Sequence, residues 1–253
     1  MPRYDTNYLE KVILKLDFEN ISLAKLNEYT EIISPTFDIN NTKTGFEGSF
    51  NIDVVQGVVE QSKQDLNIQE YSSTQKPNKK ITLSQKWISI EYEKRSYTNS
   101  EELLSDIDEF VQPFIDILEV KLINRVGLRY INQIAAPDNN NPLDWAEYIN
   151  NKLVASVAFA KSKQVPVSRV FTQQLYKMEG ADLLFSFGIW NDDFPNPIAT
   201  KNFVLDYDCS SGVPREASDI SLRSEVRGYN DKIEEFFESS IKQPLRELMG
   251  VQA

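Results

Sequence analysis

Histidine is missing altogether from these 253 residues, and cysteine occurs once, as Cys209. Without an imidazole the chain cannot build Ser/His or Cys/His nucleophile pairs, a histidine zinc site or a proximal histidine haem ligand. A lone thiol excludes both an internal disulfide and two-cysteine redox chemistry, which agrees with a reducing compartment. Glycine is sparse at nine residues, and "GFEGSF" has neither the spacing nor the strand-to-helix setting of a nucleotide fingerprint. No run approaches the roughly 20 apolar residues that cross a bilayer. "MPRYDTNYLE" lacks the charged-then-apolar layout of a secretion signal. A cytoplasmic protein that makes no use of a membrane is expected.

Basic charge is also in short supply. Against 38 acidic residues there are 27 basic ones, a formal net charge of −11. Such a field repels phosphate backbones, so nucleic acid ranks last among partners. The only compact basic cluster is "STQKPNKK", where Lys76, Lys79 and Lys80 flank Pro77 and Asn78 and read as a solvated loop. No cofactor or metal site is expected.

What remains is an ordinary folded composition, 41% hydrophobic and 26% charged. "KVILKLDFE" alternates, with Val12, Leu14, Leu16 and Phe18 facing one way, as in a half-buried strand. "SLAKLNEYTEII" has helical spacing and Ser22 as its cap. "FEGSFNIDVV", "DLNIQEYS", "KITLSQ" and "WISIEYEK" read as strands. Thr98 and Glu101 have capping-box spacing ahead of a helix with an apolar stripe from Leu103 to Leu118. After the strand "INRVGLRYINQI", the segment "NPLDWAEYINNKLVASVAF" reads as a helix from near Asp144. "RVFTQQLYKM", "DLLFSFGIW" and "KNFVLDYDC" read as three more strands, the last ending an apolar face on Cys209, a buried structural thiol. The closing segment carries Val226, Tyr229, Ile233, Phe236 and Phe237 at helical intervals, with Gly250 as a stop. Unbroken it would run about 45 Å, and Gly228 is the expected interruption.

In this reading each half is strand, helix, strands, then a long helix, and "FVQPFIDIL" and "IKQPLRELM" share a Gln-Pro pair. The expected fold class is α+β: internally duplicated halves, residues 1–119 and 120–253 of one compact module, with mainly antiparallel sheets covered by long helices that kink at the prolines.

Arg125 and Arg129 share one face of their strand with only Gly127 between them. Guanidinium forks suit carboxylate or phosphate, which makes the pair a candidate anion seat. Asp206 and Asp208 share a face of "KNFVLDYDC" and match the arginines in spacing. They could neutralise them across neighbouring strands, or support a metal or proton transfer; structural pairing ranks first, and two carboxylates do not by themselves specify a metal. Asp192 and Asp193 read as turn residues, and Trp87, Trp145 and Trp190 as core or interface.

"YLEKVILKLDF", "SYTNSEELLSDI", "NRVGLRYINQI", "FVLDYD" and "FFESSIKQPLRELMG", in this order, resemble a sporadically distributed prokaryotic family of uncharacterised function and similar length. The family's last helix often carries a histidine near the place of Tyr229 and Asn230; its absence here argues against a catalytic histidine. Sporadic distribution associates such genes with phage-defence and toxin–antitoxin operons. The leading expectation is a non-enzymatic cytosolic module that binds a protein partner or a second copy of itself. A small-anion or nucleotide binder, or an enzyme, built on the arginines is the alternative.

Overall fold

The computed structural model describes residues 3–53, 58–135 and 141–252. In chain order the elements are β1 (Arg3–Tyr4), β2 (Leu9–Phe18), α1 (Leu23–Ile33), β3 (Phe37–Asp53), β4 (Val58–Ser73), β5 (Lys79–Leu83), β6 (Trp87–Glu93), α2 (Ser100–Asp106), a π-helical turn (Ile107–Val111), α3 (Gln112–Ile117), β7 (Leu122–Ala135), α4 (Ala155–Ser162), β8 (Val170–Met178), β9 (Ala181–Ile189), β10 (Asn202–Ser211), β11 (Arg215–Glu216), α5 (Leu222–Ser240), α6 (Gln243–Met249) and β12 (Val251–Gln252).

One antiparallel sheet takes ten of these strands in the order β3-β4-β5-β6-β2-β7-β10-β9-β8, with β11 paired to the end of β7. The expectation of sheets covered by long helices is therefore corrected: there is one broad sheet, and its helices, α5 apart, are short. Strands β2 and β7 pair at the centre, and the flanks differ, with four strands beyond β2 and three along the main path beyond β7. Strands β1 and β12 form a separate ribbon that ties the two described ends together.

The alternation that marks the strands decides which face is covered. Val12, Leu14, Leu16 and Phe18 of β2 are buried, as are Val126, Leu128, Tyr130 and Ile134 of β7 and Phe203, Leu205, Tyr207 and Cys209 of β10. They meet Tyr29 of α1, Phe114 of α3 and Ile233 of α5 in one contiguous core. Each such side chain contributes roughly 1.5–3 kcal/mol as an upper estimate. Near its start β7 departs from strict alternation. The pairing with β2 shifts between Asp17 and Phe18, so Ile123 points inward and Leu122 and Asn124 do not.

Three further expectations change. The closing helix passes through Gly228 and ends at Ser240, 19 residues and about 28 Å long. Pro244 lacks the N–H that would bond the carbonyl of Ser240, and that carbonyl accepts from the Asn150 N–H at 2.8 Å. Ile241 turns extended and bridges to Ile149. Those contacts also explain why residues 142–153 are turns rather than a helix: their backbone bonds to the end of α5, leaving only α4 helical. Pro113 likewise opens a short helix, directly after the π-helical turn. The cap of α2 is Asn99, not Thr98; its side chain accepts from the Glu102 N–H at 3.0 Å. Ser22 caps α1 as expected, and β3 begins at Phe37, ahead of "FEGSFNIDVV", whose last residues Val54 and Val55 lie outside the described residues. No helix among the described residues is long and apolar enough to cross a membrane.

Candidate functional site

The arginines of β7 lie on the open face of the sheet, away from the helices. Arg129 grips Asp206 with two hydrogen bonds of 2.8 and 2.7 Å, and Arg125 donates to Asp208 at 2.7 Å. Strands β7 and β10 are neighbours, so all four residues come together. The Arg125 guanidinium folds flat over Gly127, where a Cβ would stand 2.4 Å from Nη1. Both heads are thus occupied by carboxylates. They belong to a wider ladder on this face: Lys11 bridges Glu91 and Glu93, Lys80 bridges Glu93 at 3.0 Å, and Lys43 approaches Glu70.

"STQKPNKK" is a solvated loop only in part: residues 74–78 form a largely exposed turn, but its lysines are engaged. Lys79 and Lys80 open β5; Lys76 pairs with Glu102 at 2.5 Å, and Lys79, almost buried, pairs with Asp106 at 2.6 Å. Tyr92 donates to the other oxygen of Asp106. Burial raises the Asp106 carboxyl above its ordinary range although Lys79 and Tyr92 pull the other way. These lysines anchor α2 to the sheet. Asp192 and Asp193 are exposed in a turn. Among the described residues no three Asp, Glu, Cys or His side chains converge as a metal site would require. Cys209 is buried and its thiol is pushed up to about 12, first by burial, so it is held as an unreactive thiol.

A cleft of about 610 Å³ opens elsewhere, between α5, the start of α2, β7 and the segment Tyr4–Leu9. Its size falls within the roughly 300–1,000 Å³ of small-molecule sites. At its base is a continuous hydrogen-bonded chain. The Tyr97 and Tyr130 hydroxyls are 2.6 Å apart, Tyr130 donates to Asn230 Oδ1 at 2.8 Å, and Asn230 Nδ2 donates to Glu234 Oε1 at 2.8 Å. Tyr130 has one proton and gives it to Asn230, so Tyr97 must be the donor between the two phenols. Every donor in the chain therefore points toward Glu234. The opposite Asn230 orientation would set its oxygen against the accepting Oε1 of Glu234, so the contact fixes the amide.

Burial raises the Tyr130 hydroxyl well above its ordinary range, with Tyr97 and Glu234 adding to the effect. Tyr97 is raised by burial too, against the hydrogen bond to Tyr130 and aided by Glu234. Both remain protonated donors at neutral pH. At the mouth, Tyr4 donates to Glu238 Oε1 at 2.6 Å, and Arg246 Nε donates to Glu238 Oε2 at 3.0 Å. Asp5 and Thr6 bond the carbonyls of Gly250 and Met249, which holds this segment across the opening.

None of these cleft residues stood out in the sequence as a site. One signal was there: Asn230 sits four residues after Val226 and three before Ile233, a polar side chain on the buried stripe of α5, and buried polar groups need partners. Against models of protein families, curated proteins and solved structures, the chain finds no match.

Proposed function

We propose that the protein is a cytoplasmic regulatory binding module, non-enzymatic, that holds a small organic ligand in the cleft between α5 and β7. The observation that carries this reading is the preorganised Tyr97–Tyr130–Asn230–Glu234 chain at the base of a cavity of ligand size. Directional polar groups set beside apolar walls, here Leu9, Ile233 and Phe237, are what a small-molecule site needs. The arginine strand is the weaker seat for an anion, because an incoming ligand would have to displace Asp206 and Asp208 from short contacts.

A partner protein or second copy is supported by a different observation. Edge strand β8 has no neighbour on one side among the described strands, carries no proline and only one charge, Lys177, and leaves Leu175 57% exposed. Such an edge accepts a further strand readily. Beside it Arg169 stacks between Trp190 and Phe194, residue types that anchor interfaces. A phage-defence or toxin–antitoxin setting would supply such a partner.

Native mass spectrometry of protein isolated gently from its host, compared with the denatured mass, tests both. A retained mass of a few hundred daltons, lost when Leu9→Trp fills the cleft, is expected for the ligand reading. A bare mass at every gentle condition overturns it, and a protein-sized excess supports the edge-strand partner.

A further inference from the structure

Three carboxylates line the cleft, Glu101, Glu234 and Glu238, and among the described residues no lysine or arginine side chain lines it. Two of the three are already compensated from outside the lining. Glu101 accepts from Arg227 at 2.9 Å and Arg223 at 3.4 Å, and Glu238 from Arg246. Glu234 alone has no cationic partner among the described residues; its one contact is the neutral Asn230 amide. A half-buried carboxylate with a neutral partner leaves an attractive field inside the cleft, where the protein walls let a cation be bound more strongly than at a flat surface. The aromatic rings of Tyr4, Tyr97, Tyr130 and Phe237 line the same space, and aromatic rings attract cations.

The direction of the hydrogen bonds adds a second constraint. Because Tyr97 donates to Tyr130, the donors at the base are spent within the chain that orients the Glu234 carboxylate, and what they leave open is acceptor capacity on Glu234 and on the Tyr97 oxygen. A ligand group that meets these atoms has to donate. The volume, about 610 Å³, is far larger than a bare ammonium or metal ion needs, so the donor is carried on an organic body packed against Leu9, Ile233, Phe237 and Met249.

We infer that the cleft recognises an organic amine, with the protonated amino group seated at Glu234 among the tyrosine rings and the apolar body toward Met249. This rests on the cleft being a ligand site. Carboxylates, phosphates and nucleotides are disfavoured, since each would bring negative charge against Glu234.

The test uses tryptamine, tryptophol and indole-3-acetate, which place a cation, a neutral hydroxyl and an anion on one ring system. Titration calorimetry on the full chain reads affinity, and amide chemical shifts locate the binding. Tryptamine is expected to bind at least about tenfold more tightly than tryptophol, with indole-3-acetate weakest, and shifts should centre on Tyr97, Tyr130 and Glu234. Glu234→Gln should bring tryptamine down to the level of tryptophol. Tryptophol binding retained by Glu234→Gln shows that its loss of tryptamine affinity is not general damage to the fold, and Tyr97→Phe, which leaves the carboxylate in place, should keep the preference for the cation. If tryptophol or indole-3-acetate binds in the cleft as well as tryptamine, or Glu234→Gln leaves tryptamine unaffected, the amine inference falls while the cleft remains a ligand site. If none of the three binds at millimolar concentration, both fall.

Discussion

Glycines 127 and 188 show how position sets the consequence of one added carbon. At Gly127 the three atoms nearest to a Cβ all belong to the end of the Arg125 side chain, which lies on the open face and can swing away. Gly127→Ala should break the Arg125–Asp208 contact and cost at most about 1 kcal/mol, the scale of an exposed ion pair. Gly188 sits in β9 at φ +132°, and there a Cβ would stand 2.2 Å from the carbonyl oxygen of Val170 in β8. Neither the backbone conformation nor the neighbouring strand can give cheaply, so Gly188→Ala should destabilise by about 1–3 kcal/mol or more. Urea unfolding of both variants checks the order; equal losses would mean that Arg125 is as immovable as a backbone strand. At this scale the sequence showed which residues carried charge at matching spacing, and the arginine and aspartate pairs do meet. It could not show the Tyr130–Asn230 contact, because those residues are 100 positions apart and only the packing of α5 on β7 joins them.

The elements themselves were legible where a single face had to be apolar. β2, β6, β9 and β10 announce themselves by alternation, and α1 by its stripe and cap. β3 was partly hidden because Asp38 to Gly45 carries little apolar alternation, and it is held in the sheet by pairing along β4. Residues 142–153 misled in the other direction. Trp145, Tyr148 and Ile149 have helical spacing, but they are buried against β10 and α5 by turns whose backbone finds its partners elsewhere. The docking of α2 provides an element-scale prediction. Lys79 and Asp106 are nearly buried, so removing one partner leaves the other's charge uncompensated, which typically costs about 3–5 kcal/mol. Lys79→Met should therefore lower the thermal midpoint severely, whereas Lys79→Met with Asp106→Leu should recover most of the loss. A double variant as unstable as the single one would show that Tyr92 and the packing of Asp106, rather than the paired charge, fasten α2.

Across the whole molecule the two faces of the sheet have opposite chemistry, and each element's alternation foretold this without revealing that the strands join into one sheet. Strand order depends on which strands neighbour one another, and pattern alone cannot say that β2 and β7 meet. The open face is a ladder of acidic and basic side chains, and its titration sets how stability follows pH. Burial pushes the Glu93 carboxyl up, but hydrogen bonds from Lys11 and Lys80 outweigh that and hold it below its ordinary value of 4.5. A carboxyl depressed in the folded state contributes stability that is present above its ordinary value and is lost as pH falls through the depressed one. Lys11 is the mirror case: burial lowers it, its bonds to Glu91 and Glu93 more than compensate, and its contribution is present at neutral pH and lost only above the ordinary lysine range. The ladder therefore favours folding across neutral pH and fails first on the acid side. Urea midpoints measured from about pH 6 down to about pH 3 should fall in the native chain, and Glu93→Gln, which has no proton to take up, should fall less steeply over the part of that range below 4.5. Parallel curves would mean that Glu93 is equally easy to protonate folded and unfolded, and that the acid sensitivity of the sheet lies elsewhere in the ladder.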